Sequence, residues 1–433
     1  MVLNEPSSSL HNTLTVNDLL IYFFASFPFL WTVWCDTKLS SFSSLLLVYI
    51  LWFAALTKIL LLKKIKVSFL YFWFIFFGTI AYVSISKFSF TLFLDMSLIF
   101  CGVCYCITTY EKRFDSMFVL KWMFYCGLFV SLMLLIDNVT GIFRNQFIGL
   151  YNTKAAMVKI RSTNSGGILS QTASAGCFIY SGLAAYVTFL SVKDVKRHRL
   201  FNWFIILLYI IAAIFINKRG FIVDTVFSVF FLWLFSLNFK DMLVVNIKRQ
   251  FKRILVVFSV IIFSLVLYNF IPVISDAANS LFDKFYNESG SFSGRTQLYA
   301  LALYLFSRSP WTGIGWARFR PYSEGLFSLY SDATYEVHNV YLQLLCETGI
   351  LGLVAFLVAV LVTLRYGVLK FRKHILEDIQ VKELAFLKLG LFLQMFFLIY
   401  CIHGNPLYDY MFLITYFIGI MFTLLPIKKA NGV

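Results

Sequence analysis

The sequence predicts an all-α polytopic membrane protein, built as one integral membrane domain over residues 1–433 with about 12 transmembrane helices. Hydrophobic residues make up 60% of the 433 positions, and the mean hydropathy is +0.81. Charged residues make up 13%, whereas soluble domains carry about 25%. Apolar runs of membrane length also recur along the whole chain. These observations exclude a soluble globular enzyme.

Each predicted span corresponds to an apolar run of about 20 residues, the length that crosses the hydrocarbon core of a bilayer. The polar start "MVLNEPSSSLHNTLTVND" lacks the basic segment that opens a signal peptide, so we expect the first run to stay in the membrane. In chain order, we expect spans at residues 18–34, 41–60, 67–86, 89–109, 117–136, 167–190, 201–217, 220–237, 254–274, 343–364, 384–402 and 408–426.

The basic residues set the orientation of these helices. With a cytoplasmic N-terminus, every loop on the inner side is basic, from Lys63 and Lys64 in the first to Lys428 and Lys429 in the tail. This alternation follows the positive-inside rule and places both termini inside. The net charge of +16 therefore does not indicate a nucleic-acid partner, because the positive residues are spread over short loops between apolar runs.

The sequence contains none of the common motifs for a metal or a nucleotide cofactor. Cys101, Cys104 and Cys106 cluster within an apolar run and have no histidine at metal-ligand spacing, so we expect ordinary buried thiols. The chain has no P-loop, HExxH, GxSxG or GxGxxG motif, and no paired acids of the DxD kind. We therefore expect no metal and no cofactor, and any glycosyl transfer should be metal-independent.

Two long segments fall on the outer side, at residues 137–166 and 275–342. Loops of this length are usually functional or disordered. The second contains apolar residues at helical spacing, followed by the helix breakers of "SPWTGIG". We expect it to fold as an extracytoplasmic lid that precedes the tenth helix. The helical face of the lid comprises Leu298, Leu301, Ala302 and Leu305.

Basic residues on the outer side are candidates for anion binding. Lys218 and Arg219 lie at the junction between the seventh and eighth spans, where the positive-inside rule disfavours them. Snorkelling to lipid headgroups is the alternative explanation. Arg295 opens a predicted helix, and a helix N-terminus favours anions. Arg161 lies in the other long outer segment, before small residues that permit close backbone approach, although a loosely packed loop explains these residues equally well.

Polar residues at the mouth of the tenth span form a second group of candidates. His338 titrates near neutral pH and is a candidate general base, although a cap or an interfacial residue is the alternative. We expect Asn339 to be the N-cap of the helix and Glu347 to pair with one of the outer arginines.

Further polar residues lie near the last span and inside apolar runs. The stretch "CIHGNPLYDY" brings His403, Asn405 and Asp409 together on the outer side. Asp95 and Asp224 occur within apolar runs, where an unpaired charge is costly, so we expect both to pair inside the protein.

The stretch "SGRTQLYALALYLFSRSPWTGIGWARFRPYSEG", followed by "HNVYLQLLCETGILGLVAFL", resembles the signature region of the O-antigen ligase and polymerase superfamily. The resemblance covers about residues 291–360, and "INKRGFIVD" is similar to the family's earlier arginine motif. Helices one to six add little beyond topology.

This resemblance implies a multi-pass glycosyltransferase of the hexosyltransferase type, with a GT-C-like fold, in the bacterial plasma (inner) membrane. Its active site would face the periplasm or exterior. The donor would be a glycan on undecaprenyl pyrophosphate. The acceptor would be another lipid-linked glycan in a polymerase, or lipid A–core in a ligase. Membrane lipids are further partners, and a chain-length regulator protein is a candidate.

The resemblance also assigns roles by position. Arg219 and Arg295 match the family's functionally important arginines, and His338 matches its histidine. These three are the predicted catalytic residues. The predicted substrate-binding residues are Lys218, Arg161, Asn339 and Glu347.

Several functions remain open from the sequence. The continuous run "GIGWARFR…HNVYLQLLCETGILGL" looks more like surface-polysaccharide polymerases than ligases, so polymerase is the favoured interpretation. A ligase is the main alternative, and a protein O-oligosaccharyltransferase is another. From a different class, a lipid-linked oligosaccharide flippase or other transporter would need polar residues along a path through the helices. Here the polar residues concentrate on the outer side.

Overall fold

The computed structural model describes residues 16–38, 45–60, 68–85, 90–111, 115–161, 166–192, 199–236, 291–324, 335–376 and 381–425. Regular structure in these ranges is helical, apart from one antiparallel bridge between Thr37 and Tyr151. The helices are α1 Val16–Asp36, α2 Leu45–Leu60, α3 Tyr71–Ser84, α4 Phe90–Glu111, α5 Ser116–Thr140, α6 Ile142–Asn145, α7 Thr153–Arg161, α8 Thr172–Val192, α9 Arg199–Phe215, α10 Arg219–Ser236, α11 Ser291–Arg308, α12 Phe319–Tyr322, α13 Val340–Leu376, α14 Val381–Tyr400 and α15 Tyr410–Leu424.

The helices confirm an all-helical, multi-pass membrane protein. In the part of the chain that the structure describes, 7 helices are long and apolar enough to cross a membrane, and α2, α3, α9 and α15 are shorter apolar helices. Each of these helices overlaps one of the predicted spans. The ninth predicted span, at 254–274, lies outside the described residues.

The predicted alternation of the helices is visible in which loops meet. At one end of the bundle, the backbone N–H of Asn152 donates to the carbonyl oxygen of Asp36 (3.1 Å), and that of Val340 donates to Cys401 (2.9 Å). We call this the loop-rich end. It comprises residues 36–38, 84–85, 137–171, 216–219, 309–340 and 401–409. Every described loop that the charges place outside lies at this end.

Glycines allow the central helices to approach closely. A Cβ on Gly127 of α5 would lie 2.8 Å from the Cα of Gly182 of α8. A Cβ on Gly390 of α14 would lie 2.5 Å from the carbonyl oxygen of Gly419 of α15. Small residues at such crossings let backbones pack tightly, which is a main source of helix association in membranes.

Helix α13 is broken at Gly349, where φ is 67° and ψ is −167°. A break leaves carbonyls before it and N–H groups after it without helical partners. The "SPWTGIG" turn supplies both kinds of partner. The N–H groups of Ile314 and Gly315 donate to the carbonyls of Cys346 (2.9 Å) and Glu347 (2.8 Å). In return, the Ile350 N–H donates to the Pro310 carbonyl (2.9 Å).

Two glycines make this pairing possible. Gly313 also has a positive φ of 66°. A Cβ on Gly313 would lie 2.3 Å from the carbonyl carbon of Glu347, and one on Gly349 would lie 2.3 Å from the carbonyl carbon of Trp311. Both distances are impossible for a real side chain, and left-handed φ values favour glycine. The two parts of the signature region are therefore joined backbone to backbone.

The described part of the predicted lid is folded against this junction. Leu298, Ala302 and Leu305 of α11 are buried in a cluster with Ile314, Phe319, Val337 and Cys346, and Leu301 packs against the cluster. The predicted apolar face of the lid helix is therefore confirmed. Segments 275–290 and 325–334 of the predicted lid lie outside the described residues.

Replacing Gly349 by Ala should destabilise the protein strongly, by roughly 2–5 kcal/mol, because it combines left-handed strain with overpacking. The matched control is Gly78→Ala in α3, since a Cβ there meets nothing within 4 Å. Thermal unfolding of the purified, detergent-solubilised variants measures both. Equal melting temperatures for Gly349→Ala and Gly78→Ala would contradict the proposed role of the glycine junction.

Candidate active site

A cavity of ≈ 560 Å³ opens among the helices at the loop-rich end. This volume lies in the range of roughly 300–1,000 Å³ that small-molecule sites occupy. Helices α1, α4, α8, α14 and α15 contribute to its walls, together with the segments before α12 and α13. Its lining residues are Trp31, Thr32, Cys35, Asp36, Asp95, Gln171, Ala173, Ser174, Ala317, Arg320, Tyr335, Glu336, His338, Gln343, Tyr400, Asn405, Tyr408, Asp409 and Tyr410.

His338 lines this cavity just before α13 begins. Its backbone is in the left-handed region, with φ of 56°, a conformation that costs a non-glycine residue about 1–3 kcal/mol. The side chain is exposed and makes no hydrogen bond to another described residue. Asn339 follows it and caps the helix, since its Oδ1 accepts from the Leu342 N–H (3.0 Å). The predicted cap is confirmed. The strained backbone supports a functional role for His338, because such strain is concentrated at functional sites.

The surroundings of His338 favour its neutral form. Desolvation by the cavity walls lowers the pKa of the imidazole, and the positive charge of Arg295 lowers it further. Lys218 and Arg320 act in the same direction, while Glu336 opposes them. A lowered pKa keeps the imidazole unprotonated at neutral pH, which is the form that can accept a proton.

These electrostatic effects show that three of the predicted residues, His338, Arg295 and Lys218, lie near one another. Arg295 and Lys218 both lie close enough to His338 for their charges to lower its pKa, although they come from different segments. Lys218 and Arg295 are exposed, and Arg219 is partly exposed. Arg219 is the first residue of α10. The side chain of Arg161 lies outside the described residues, although its backbone ends α7.

The sequence predicted that Arg295 opens its helix, and this prediction was wrong. Helix α11 begins at Ser291, so Arg295 is the fifth residue and lies in the second turn. The glycine and serine residues before it are helical rather than a loop, because the helix extends four residues further toward the N-terminus. An anion at Arg295 would therefore be bound by the guanidinium more than by free N–H groups.

Arg320 and Glu336 are members of the site that sequence analysis missed. They form an ion pair in the cavity wall, and the Asn405 amide Nδ2 donates to the other carboxylate oxygen of Glu336. The signal was available, because Arg320 is a further basic residue on the outer side, like Lys218 and Arg219. Arg320 follows closely after "SPWTGIG", a motif whose glycines indicate a turn and give no sign of a binding residue.

Glu347 is bound differently from the prediction. It is fully buried and accepts hydrogen bonds from the backbone N–H groups of Ala317 (2.8 Å) and Phe319 (3.0 Å). The side chains of Tyr408 and Gln343 donate to it as well, at 2.7 and 3.3 Å. The predicted pairing with an arginine was wrong, because neutral donors from three segments surround the carboxylate. Glu347 does not line the cavity and acts by fixing the segment that leads into α12, the helix that carries Arg320.

The two aspartates inside apolar runs have internal partners, as predicted. Asp95 Oδ2 accepts from the Trp316 indole (2.7 Å), and Asp224 Oδ1 lies 2.7 Å from His403 Nε2. His403 also packs directly on Gly220, where a Cβ would lie 2.5 Å from the ring. The pair therefore fastens the start of α10, which carries Arg219, to the segment between α14 and α15.

Replacing His403 by Ala should cost about 3–5 kcal/mol, because it leaves the fully buried Asp224 without its partner. Adding Asp224→Asn should recover part of this loss, since an amide has no charge to desolvate. Thermal unfolding of the two single variants and the double variant gives the coupling energy. Strictly additive effects would contradict a direct stabilising interaction between His403 and Asp224.

Comparison with known proteins agrees with the resemblance noted in the sequence. Residues 204–357 match the sequence model of a family described as O-antigen ligase. This range contains the start of α10, the described lid helix, the glycine junction and His338. No curated protein matches the chain. Residues 204–357 are therefore similar to the O-antigen ligase family, and this match supports the resemblance to the O-antigen ligase and polymerase superfamily.

Proposed function

We propose that this protein polymerises lipid-linked oligosaccharide repeat units of an O-antigen or a capsule. The reaction is metal-independent glycosyl transfer from undecaprenyl pyrophosphate at the outer face of the bacterial plasma membrane. The observation that carries the proposal is the position of His338. Its ring lines a cavity of small-molecule size and makes no hydrogen bond within the described ranges, and the charges of Arg295 and Lys218 act on it.

The basic residues supply what the donor needs. Pyrophosphate carries several negative charges, and it leaves more easily when positive groups stabilise the charge that develops on it. Arg295 and Lys218 act on His338 from two segments, and Arg219 adjoins Lys218 at the start of α10. Guanidinium groups bind phosphate oxygens with two parallel hydrogen bonds. In the proposed reaction, Arg219 and Arg295 bind the pyrophosphate, with Lys218 and Arg161 as further binders.

His338 acts on the acceptor. The acceptor hydroxyl gives its proton to the neutral imidazole while its oxygen forms a bond to the anomeric carbon of the donor sugar. The bond from that carbon to the pyrophosphate breaks, and its electron pair leaves with the phosphate. Attack opposite the leaving group inverts the anomeric centre. General-base catalysis of this kind contributes about 10²–10⁴-fold to rate.

A ligase is the second candidate, and the description of the matched family favours it. A ligase would use the same donor and the same basic residues, with lipid A–core as the acceptor. The two activities differ in the acceptor that enters the cavity. A flippase is less well supported, because the polar groups described above gather at one end of the bundle.

Deletion of the gene, followed by gel analysis of the surface glycan, separates these functions. Loss of polymerase leaves lipid core carrying a single repeat, where a ligase is present. Loss of a ligase leaves unmodified core, with long chains still on the carrier lipid. Loss of a flippase removes both the single-repeat core and the long carrier-linked chains from the outer face. An unchanged glycan would contradict the proposed function.

His338→Ala should abolish chain extension, with at least about a 100-fold loss of rate, because it removes the proton acceptor. The measurement is extension of lipid-linked repeat units in membranes of the deletion strain that carry the variant. The matched control is His374→Ala, near the end of α13 remote from the cavity, which should retain activity. Normal extension by a folded His338→Ala protein would contradict the assignment.

The pH profile should report the lowered pKa of His338. The rate should rise as the imidazole loses its proton, with a midpoint below its ordinary value of 6.5, and then level off. Arg295→Gln removes the largest charge that lowers this pKa, so the midpoint should move to higher pH as well as the rate falling. Arg308→Gln in the last turn of the same helix is the control and should leave the midpoint unchanged. An identical midpoint in all three proteins would contradict the assignment of this titration to His338.

A further inference from the structure

The walls of the cavity are mainly acidic, whereas Lys218 and Arg295, whose charges act on His338, are basic. Among the described lining residues, the carboxylates of Asp36, Asp95, Glu336 and Asp409 face one guanidinium, that of Arg320. Arg320 is already paired with Glu336. His338 lines this acidic interior, and the charges of the basic residues Lys218 and Arg295 lower its pKa.

Three of the carboxylates accept hydrogen bonds from neutral groups, so no ion pair cancels their charge when they are ionised. The charge of Lys159 reaches Asp36 only from beyond ion-pair distance. Asp36 accepts from the Ser170 hydroxyl (2.6 Å) and backbone N–H (2.7 Å). Asp95 accepts from an indole, and Asp409 caps α15 through the Met411 N–H (3.2 Å). No Lys or Arg in the described ranges lies within ion-pair distance of these three. Burial raises the pKa of Asp409 to about 7, and the nearby charges of Glu336 and Asp36 contribute.

The interior also contains acceptor atoms that have no donor among the described residues. Asp95 is only 2% exposed and lines the cavity. The Trp316 indole and the Tyr410 hydroxyl interact with its carboxylate, yet Oδ1 has no hydrogen-bond partner in the described ranges. Asn405 Oδ1 is in the same state. The orientation of that amide is fixed, because its Nδ2 faces a carboxylate of Glu336, which only accepts. Buried acceptors of this kind normally have partners, so the cavity suits a ligand rich in donors.

Aromatic rings complete the lining. Trp31, Tyr335, Tyr400, Tyr408 and Tyr410 contribute to its walls. Tyr408 is held by stacking on Trp316, with ring centroids 4.6 Å apart. Flat rings present an electron-rich face to the C–H groups of a sugar, while carboxylates and amide oxygens accept from its hydroxyls. A sugar offers both kinds of group at once.

We propose that this cavity binds the acceptor end of the glycan and admits a sugar without an acidic substituent. The inference rests on the proposed glycosyl transfer and specifies its substrate class. An acidic sugar would place its carboxylate among Asp36, Asp95 and Asp409, where like charges repel in a desolvated space. A neutral or amino sugar satisfies the same oxygens by donating to them. The acidic walls also repel the donor's pyrophosphate, which the basic residues bind in the proposed reaction.

The first test is chemical analysis of the glycan itself. Linkage analysis of the polymer that is lost on gene deletion identifies the sugar whose hydroxyl carries the bond to the transferred glycan. That sugar should be neutral or amino. A uronic acid or a phosphorylated sugar at this position overturns the inference, while the glycosyltransferase function stands. A glycan that does not change on deletion overturns the proposed function instead, so the two failures are distinguishable.

The second test uses two competitors that differ by one group. They are the methyl glycoside of the identified acceptor sugar and its counterpart with the primary alcohol oxidised to a carboxylate. In a membrane extension assay at pH 8, the neutral glycoside should inhibit at concentrations at least about tenfold lower than the acid, because like-charge contacts are costly. Equal inhibition by both overturns the inference.

A matched pair of variants links this selectivity to the cavity. Asp409→Asn removes one charge from the wall and keeps the α15 cap, because Asn caps helices as well as Asp. The ratio of the inhibitory concentrations of the acidic and the neutral competitor should fall several-fold in this variant. Asp115→Asn makes the same change at the cap of α5, whose carboxylate accepts from Met117 and Phe118 at the opposite end of the bundle. It should leave the difference unchanged, and an equal effect of both variants overturns the inference.

Discussion

The backbone junction between the two positive-φ glycines is the constraint on which the rest of the site depends. Gly313 and Gly349 let the "SPWTGIG" turn and the broken start of α13 approach to a distance that no side chain permits. The turn then satisfies the carbonyls and N–H groups that the helix break leaves open. Glu347, two residues before the break, accepts from the next N–H groups of the same segment, at Ala317 and Phe319.

The consequences of this junction extend to both sides of the cavity. Trp316 is brought onto Asp95 of α4 and stacks on Tyr408, so the segment is fastened to the helices that enclose the cavity. Arg320 follows directly and meets Glu336, which lies two residues before His338. The three non-glycine residues with positive φ in the described ranges, Asn217, Ala317 and His338, all lie at the loop-rich end. Backbone strain is therefore concentrated where the chemistry is proposed.

A division of charge gives the site its chemical logic. The charges of basic residues just before α10 and in the lid helix act on His338, which itself lines a cavity of carboxylates and aromatic rings. In the proposed reaction, the phosphorylated donor would be bound by the basic residues and the hydroxyl-bearing acceptor by the acidic cavity. The pair formed by the partly exposed His403 and the buried Asp224 contributes by fixing the start of α10 against the segment that lines the cavity.

The sequence by itself determined the helices, their alternation and the candidates at one end, because bilayer thickness and loop charge are read directly from local composition. It also identified Asn339 as a cap, which depends only on neighbouring residues. It failed where partners come from distant segments. The hydrogen bonds of Glu347 involve residues 28, 30 and 61 positions away along the chain. No local sequence pattern predicts contacts at such separations. Arg320, Glu336 and the acidic cavity were likewise decided only by tertiary structure, since a cavity is a property of how helices pack, and its charge is the sum over walls that the sequence keeps far apart.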